Sequence, residues 1–230
     1  FFVVKNNNEK SEAVNGKSCN NVLCVDTSSG VVTVAANAVI DFEMNEQPAE
    51  ITIKFRVEDS KGLKSKEDST HTFNITDMND YPVWCNGEST CATVEYSETT
   101  TNLDGTRTRT EADSFVGDLN VVDPDQQTMS FDVKNRQDGQ VSTRFEVNAK
   151  AGGGYALHLK SNVVFNFEEL NQFIIGTQKV GFSLQITATD DNSDDQLEGP
   201  DGTKGNLFKT QNIDVEVIDV PEPPRWHGRN

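Results

Sequence analysis

Asp77-Met78-Asn79-Asp80-Tyr81-Pro82-Val83-Trp84 and Asp219-Val220-Pro221-Glu222-Pro223-Pro224-Arg225-Trp226 share one internal spacing. Acid stands against acid (Asp77 and Asp219, Asp80 and Glu222), Pro82 against Pro224, and Trp84 against Trp226. Each copy follows an alternating run, Phe73 and Ile75 before the first, Val215 and Val217 before the second. Alternation places apolar side chains on one face of a strand. A strand that runs into a stiff, acidic, proline-closed segment ends a domain. A repeat of that ending means tandem modules.

Working outward, the duplication continues. Val25-Asp26-Thr27-Ser28-Ser29-Gly30 matches Val147-Asn148-Ala149-Lys150-Ala151-Gly152. Asp41-Phe42-Glu43 matches Asn166-Phe167-Glu168, and Val57-Glu58-Asp59 matches Ala188-Thr189-Asp190. The offset grows along the chain, so the second module carries insertions, chiefly a polar loop over 191–206. Val121-Val122-Asp123-Pro124-Asp125 has no counterpart in the first module. The chain is therefore expected to start inside a module, to stop just after a junction, and to be a piece of a longer array. The expected modules are 1–84, lacking its first strands, and 85–226, with 227–230 opening a third.

Period-two alternation dominates the rest: Val31–Val34, Ile51–Val57, Leu119–Val121, Phe131–Val133, Tyr155–Leu159 and Phe182–Thr187 all read as strands. Turn pairs such as Ser29-Gly30, Asp104-Gly105 and Asp138-Gly139 separate them. No segment shows strong helical periodicity, although Glu168–Phe173 is long enough for one turn. Many short strands punctuated by turns predict an all-β sandwich. The 230 residues suffice for two such modules of about 100 residues each.

Net charge is −17. That excess argues against nucleic acid, whose phosphates need clustered Lys and Arg, and favours cations or plain solubility. No apolar run approaches the ~20 residues of a membrane span. Phe1-Phe2-Val3-Val4 is too short and uncharged for a signal peptide. Cys19, Cys24, Cys85 and Cys91 admit three connectivities. The local pairing Cys19–Cys24 and Cys85–Cys91, each closing a short loop, is the expected one. Zinc is the competing reading, but CxxC spacing and a nearby His are both missing. Disulfides imply an oxidising, extracellular compartment. The sequon Asn74-Ile75-Thr76 marks Asn74 for glycosylation, in keeping with that.

Taken in order, the motifs resemble the cadherin repeat. That family's modules carry a strand-A Glu, Asp-x-Asp, Leu-Asp-x-Glu, Ala-x-Asp, and a linker reading Asp-x-Asn-Asp-x-x-Pro-x-Phe. The matching residues are Asp123-x-Asp125, Ile40-Asp41-Phe42-Glu43, Ala188-Thr189-Asp190 and Asp77-x-Asn79-Asp80. The resemblance implies tandem Greek-key β-sandwiches of cadherin type, with linker and flanking modules supplying oxygens to three calcium ions. Asp41, Glu43 and Asp80 would meet Asp123, Asp125 and Asp190, with Asn79 adding a side-chain oxygen and Met78 and Tyr81 their carbonyls. Calcium takes six to eight oxygen ligands, and these six carboxylates balance three divalent ions. The competing reading is that the acids are turn residues scattered over the surface.

Departures from the pattern matter. Only Tyr81 stands between Asp80 and Pro82, where the family has two residues. At the end junction Asn166 replaces an acid and Pro221 replaces the linker Asn. Glu98 (rather than Glu95), Glu168, Asp219 and Glu222 would form a weaker site there, with fewer ions. Asp59 would face a preceding module.

Other motifs are weaker. Asp190-Asp191-Asn192-Ser193-Asp194 resembles an EF-hand start, but its sixth residue is Asp195 instead of Gly and its twelfth Asp201 instead of Glu. Gly16-Lys17-Ser18 lacks the upstream Gly of a P-loop. Of the histidines, His71 shares the parity of Phe73 and Ile75 and is expected to pack, while His158 points away from Leu157 and Leu159. None has a nucleophile beside it, so no enzyme is expected. The Trp residues are expected to pack at module bases, and the Thr-rich run 99–110 reads as a polar loop. The expected function is that of a calcium-stiffened extracellular or cell-surface adhesion protein. Its partners would be neighbouring modules of its own chain and a homophilic or heterophilic protein, with neither nucleic acid nor a membrane span in this stretch. The runner-up is a structural array in an extracellular filament, and a third reading is a carbohydrate-binding accessory module.

Overall fold

The computed structural model describes residues 2–3, 13–14, 17–20, 22–43, 50–98, 114–170, 173–175, 179–192, 197–202 and 204–221. Strands are the regular elements among them, with two short 3₁₀ turns and no α-helix. The chain divides into two units, Phe1–Met78 and Asn79–Asn230.

Unit 1 contains β1 (Phe2–Val3), β2 (Ala13–Val14), β3 (Lys17–Cys19), β4 (Leu23–Asp26), β5 (Val32–Val34), β6 (Glu50–Arg56) and β7 (Ser69–Asn74). They form two antiparallel sheets, β1-β6-β7 and β2-β3-β4-β5. The alternation in β6 buries Ile51 and Ile53, which pack with Leu23 and Val25 from β4. The local pairing of Cys19 with Cys24 is present, and it bridges directly opposed residues of β3 and β4. Asp26 closes the next turn: Ser28 N and Ser29 N donate to its Oδ1 at 3.1 and 2.7 Å, and both serine hydroxyls donate to it at 2.8 Å. These four donors, the Ser29 amide foremost, hold its carboxyl well below the usual carboxylate range.

Unit 2 contains β8 (Val83–Trp84), β9 (Val94–Ser97), β10 (Phe115–Leu119), β11 (Val121–Val122), β12 (Met129–Asn135), β13 (Phe145–Ala149), β14 (Tyr155–Leu159), β15 (Ile174–Ile175), β16 (Lys179–Asp190) and β17 (Phe208–Ile218). One sheet has the order β12-β16-β17-β9 with β15 beside β16; the other is β10-β14-β13, and β8 pairs with β11. Sequence-distant strands are thus neighbours, as a Greek-key sandwich requires. β9 runs parallel to β17, the other pairs being antiparallel. Val133, Leu184, Ile186, Val215 and Val217 from one sheet meet Val116, Leu119, Phe145, Leu157 and Leu159 from the other. Phe165 stacks on Phe182 with ring centroids 4.9 Å apart. Trp84 is buried, packs edge-on against Phe131, and donates its indole N–H to Lys209 O at 3.0 Å. The pairing of Cys85 with Cys91 is also present.

The all-β sandwich expected from the sequence is present, with local differences. Leu119–Val121 is broken at Asn120, where β10 ends and whose carbonyl accepts a bond from Cys85 N at 2.7 Å, in step with the β8–β11 pairing. His71, expected to pack, stacks on Phe55 at 5.3 Å while remaining exposed. The duplication holds in register: Ile51 lies opposite Phe73 as Phe182 lies opposite Val215. A side-chain hydrogen bond occupies the adjacent position both times, between the Thr52 and Thr72 hydroxyls at 3.1 Å and from the Ser183 hydroxyl to Asp214 Oδ1 at 2.6 Å.

Candidate metal centre

The antiparallel run of β16 and β17 gives unit 2 two poles. One lies where β16 ends at Asp190, the other where β17 ends at Ile218. Acidic side chains gather at both.

At the Asp190 pole, Asp123 ends the stretch after β11. Gln127 N donates to its Oδ1 at 3.2 Å and Gln126 N donates to its main-chain O at 3.1 Å, closing a tight turn over 123–127. Asp123 is 8% exposed and its Oδ2 is buried with no hydrogen-bond partner. Burial, reinforced by the negative charges of Asp125 and Asp190, pushes its carboxyl up to about 6. Asp125 accepts a bond from Asp80 N at 2.7 Å. Asp190 is 1% exposed. Leu207 N donates to its Oδ1 at 2.8 Å and Asn79 Nδ2 to its Oδ2 at 3.1 Å. Burial raises its carboxyl despite those donors. Asn79 itself is fully buried, and its Oδ1 accepts from Gln127 Nε2 at 2.9 Å.

The pole thus assembles Asn79, Asp80, Asp123, Asp125 and Asp190 of the expected site residues, while Tyr81 is exposed. Asp41, Glu43 and Met78 belong to unit 1, where Glu43 N donates to Asp41 Oδ1 at 3.1 Å and Met78 is exposed. Asp59, expected to face a preceding module, caps its own turn by accepting from Lys61 N and Leu63 N at 2.8 and 2.9 Å. Gln127 escaped the sequence reading, and Asn192 entered it only as part of the EF-hand-like stretch. Asn192 is 3% exposed, and its Oδ1 is buried without a partner. No spacing rule singles out either residue, because each is placed by loop backbone.

At the Ile218 pole, Glu98, Glu168 and Asp219 each bring a carboxylate oxygen within 4.8 Å of the others. Glu98 is buried and accepts from Phe167 N at 2.8 Å and Val220 N at 3.0 Å. Glu95 is exposed, since it alternates outward with Ser97 while Tyr96 and Glu98 point in. Asn166 is the N-cap of the 3₁₀ turn Phe167–Glu169: its Oδ1 accepts from Glu168 N at 3.2 Å. Glu222 and Trp226 lie outside the described residues, as do Ser193 and Asp194 of the EF-hand-like stretch and the whole Thr-rich run 99–110.

Both groups offer oxygen alone, the donor set of a hard cation. The buried, unpartnered Asp123 Oδ2 among like charges fits calcium: such an arrangement is costly until a cation joins it.

No protein-family model matches this sequence, and no curated protein does. The chain is similar to several solved ectodomain structures. One holds extracellular cadherin domains 1–5 of protocadherin gamma B2, at 18% identity over 90% of this chain and 33% of that one, with a TM-score of 0.46. Another is the human desmocollin-1 ectodomain, at 14% identity, 94% and 35% coverage, and a TM-score of 0.43. A third is a protocadherin gamma B7 structure of domains 3–6, at 17% identity, 88% and 40% coverage, and a TM-score of 0.44. The chain spans a third to two fifths of their length. Its own cadherin-like fold is seen in the paired sandwich sheets, the parallel β9–β17 edge and the recurring junction motif.

Proposed function

We propose that the chain is a pair of extracellular cadherin-like repeats whose junction binds calcium, and that calcium stiffens the link between repeats of a cell-surface adhesion protein. The observation that carries this reading is Asp123. The residue is 8% exposed, with one carboxylate oxygen buried and unpartnered, beside Asp125 and Asp190. A bound cation would relieve that arrangement: two like charges about 4 Å apart repel by ~4 kcal/mol at an effective dielectric near 20. On this reading Asp41 and Glu43, with the carbonyls of Met78 and Tyr81, complete the coordination that unit 2 begins, and about three ions bind. Glu98, Glu168, Asp219 and Glu222 form a second site with fewer ions. The two disulfides and the exposed Asn74 of the sequon accord with an extracellular location.

Each part of the chain then has a role. The Asp123 turn and the end of β16 hold carboxylates in place, and the Asp80 amide orients Asp125. The bound ion supplies charge neutralisation and bridging between modules. Calorimetric titration with calcium tests the reading. The unaltered chain should bind with a midpoint of about 10⁻⁴ to 10⁻³ M, typical of extracellular modules. Asp125→Ala should weaken that binding while the melting of unit 2 without calcium stays cooperative. Identical isotherms for the two proteins would sink the assignment.

A further inference from the structure

The β16–β17 connection contains more than the polar loop read from sequence. Glu198 and Lys204 face each other in an antiparallel bridge, and their side chains pair at 3.3 Å. At the tip, Gly202 N donates to Gly199 O at 2.8 Å. The result is a small hairpin, and each of its arms presents a carbonyl to Asn79. Asn79 N donates to Glu198 O at 3.2 Å, and Asn79 Nδ2 to Gly205 O at 3.4 Å. Asn192 ties the hairpin to the end of β16, its Nδ2 donating to Leu197 O and Gly205 O at 3.2 Å each. Asn79 is consequently fully buried although it stands between exposed Met78 and half-buried Asp80.

We infer that this hairpin is a strap that immobilises Asn79 and so keeps the acidic pole assembled before a cation arrives. The consequence for calcium rests on the proposed function above. Asn79 is the hub: it touches Asp190 directly and reaches the 123–127 turn through Gln127. A hub held by side chains alone would swing with the chain entering it, because exposed connecting segments open locally at little cost. Two backbone carbonyls from a closed hairpin remove that freedom. An ion entering a preassembled pole has less ordering to impose, and binds more tightly for it. Unit 1 carries a hairpin of the same span between β6 and β7, where Glu58 bridges Lys64 and Gly62 N donates to Asp59 O at 3.0 Å.

The test uses the full chain in two variants. In one, residues 197–204 are replaced by Gly-Ser-Gly; in the other, Asn192→Ala cuts the ties without shortening the loop. Hydrogen exchange is followed at the Asn79 amide without calcium, and calcium affinity is measured by calorimetry. Asn79 exchange should quicken by roughly tenfold or more in the shortened variant and by a few-fold in Asn192→Ala, with mid-β16 amides unchanged. Calcium affinity should fall by roughly three- to tenfold. Unchanged Asn79 exchange overturns the strap, and so does quickened exchange with undiminished affinity. If the shortened chain fails to fold, Asn192→Ala decides by the same readouts. If the unaltered chain takes up no calcium while the exchange contrast persists, the calcium reading falls and the strap on Asn79 stands.

Discussion

Asp123 carries a buried charge with one unpartnered oxygen, which either a proton or a cation would neutralise. Folded, its carboxyl titrates near 6 against an ordinary 3.8. Between those values the folded state holds a proton that the unfolded chain has released. The sign follows: the contribution of this group to calcium-free stability rises as pH is lowered from about 6 to about 4. Calcium binding at the proposed site should weaken over the same range, because proton and ion would compete for one carboxylate. Asp123→Asn should therefore raise the calcium-free melting temperature of unit 2 and shrink the gain that calcium brings, both read by calorimetry. Glu98 behaves differently. It already satisfies two backbone amides, so Glu98→Ala should destabilise unit 2 by about 1–3 kcal/mol whether or not calcium is present. A loss seen only with calcium would argue that its main duty is to an ion. Much at this scale was legible in sequence: parity on β9 selects Glu98 over Glu95, and acids stand at both poles. Asn79 was legible only as an oxygen donor. Its burial and its bonds to Glu198 O and Gly205 O depend on a loop whose path no local pattern dictates.

The elements were the most readable part. Alternation marks β6, β14 and β16 because one face of each meets a core, and Tyr155–Leu159 matches β14 end to end. Short strands were harder. β8 and β11 are two residues each, too few to show a period, and their pairing carries residues 79–84 into the second unit. Close approach between strands gives a sharper prediction. A Cβ on Gly181 would lie 2.0 Å from Val215 O, against backbone of the neighbouring strand. Gly181→Ala should cost about 1–3 kcal/mol as β16 is forced from β17, lowering the urea midpoint of unit 2. Gly152→Ala, whose Cβ meets nothing within 4 Å, should move it by no more than about 0.5 kcal/mol. Equal shifts for the two would mean that β16 has room the geometry denies it. The two copies of the strand pair also differ in one telling way. Val215 is fully buried while Phe73, at the same register position, is 41% exposed, because β9 flanks β17 in unit 2 and no described strand flanks β7.

For the whole molecule, a charge of −17 spread over two small sandwiches works against compaction in low salt. Monovalent salt should relieve that repulsion generally by screening. On the proposed reading calcium should act at far lower concentration, because it would be chelated and not merely screen charge. A tenfold excess over the dissociation constant would stabilise the folded chain by about 1.4 kcal/mol per independent site. The tandem organisation was readable because the junction is written twice, with its acids, prolines and tryptophans in step. Its ion content was not, because coordination depends on where each carboxylate ends up in space. The measurement that tests the central claim most directly is the melting of the full chain in millimolar calcium against EGTA, with Asp125→Ala beside it. The account predicts a higher melting temperature in calcium, a midpoint for that gain of about 10⁻⁴ to 10⁻³ M, and loss of most of the gain in Asp125→Ala. Superimposable melting curves in calcium and EGTA would contradict it.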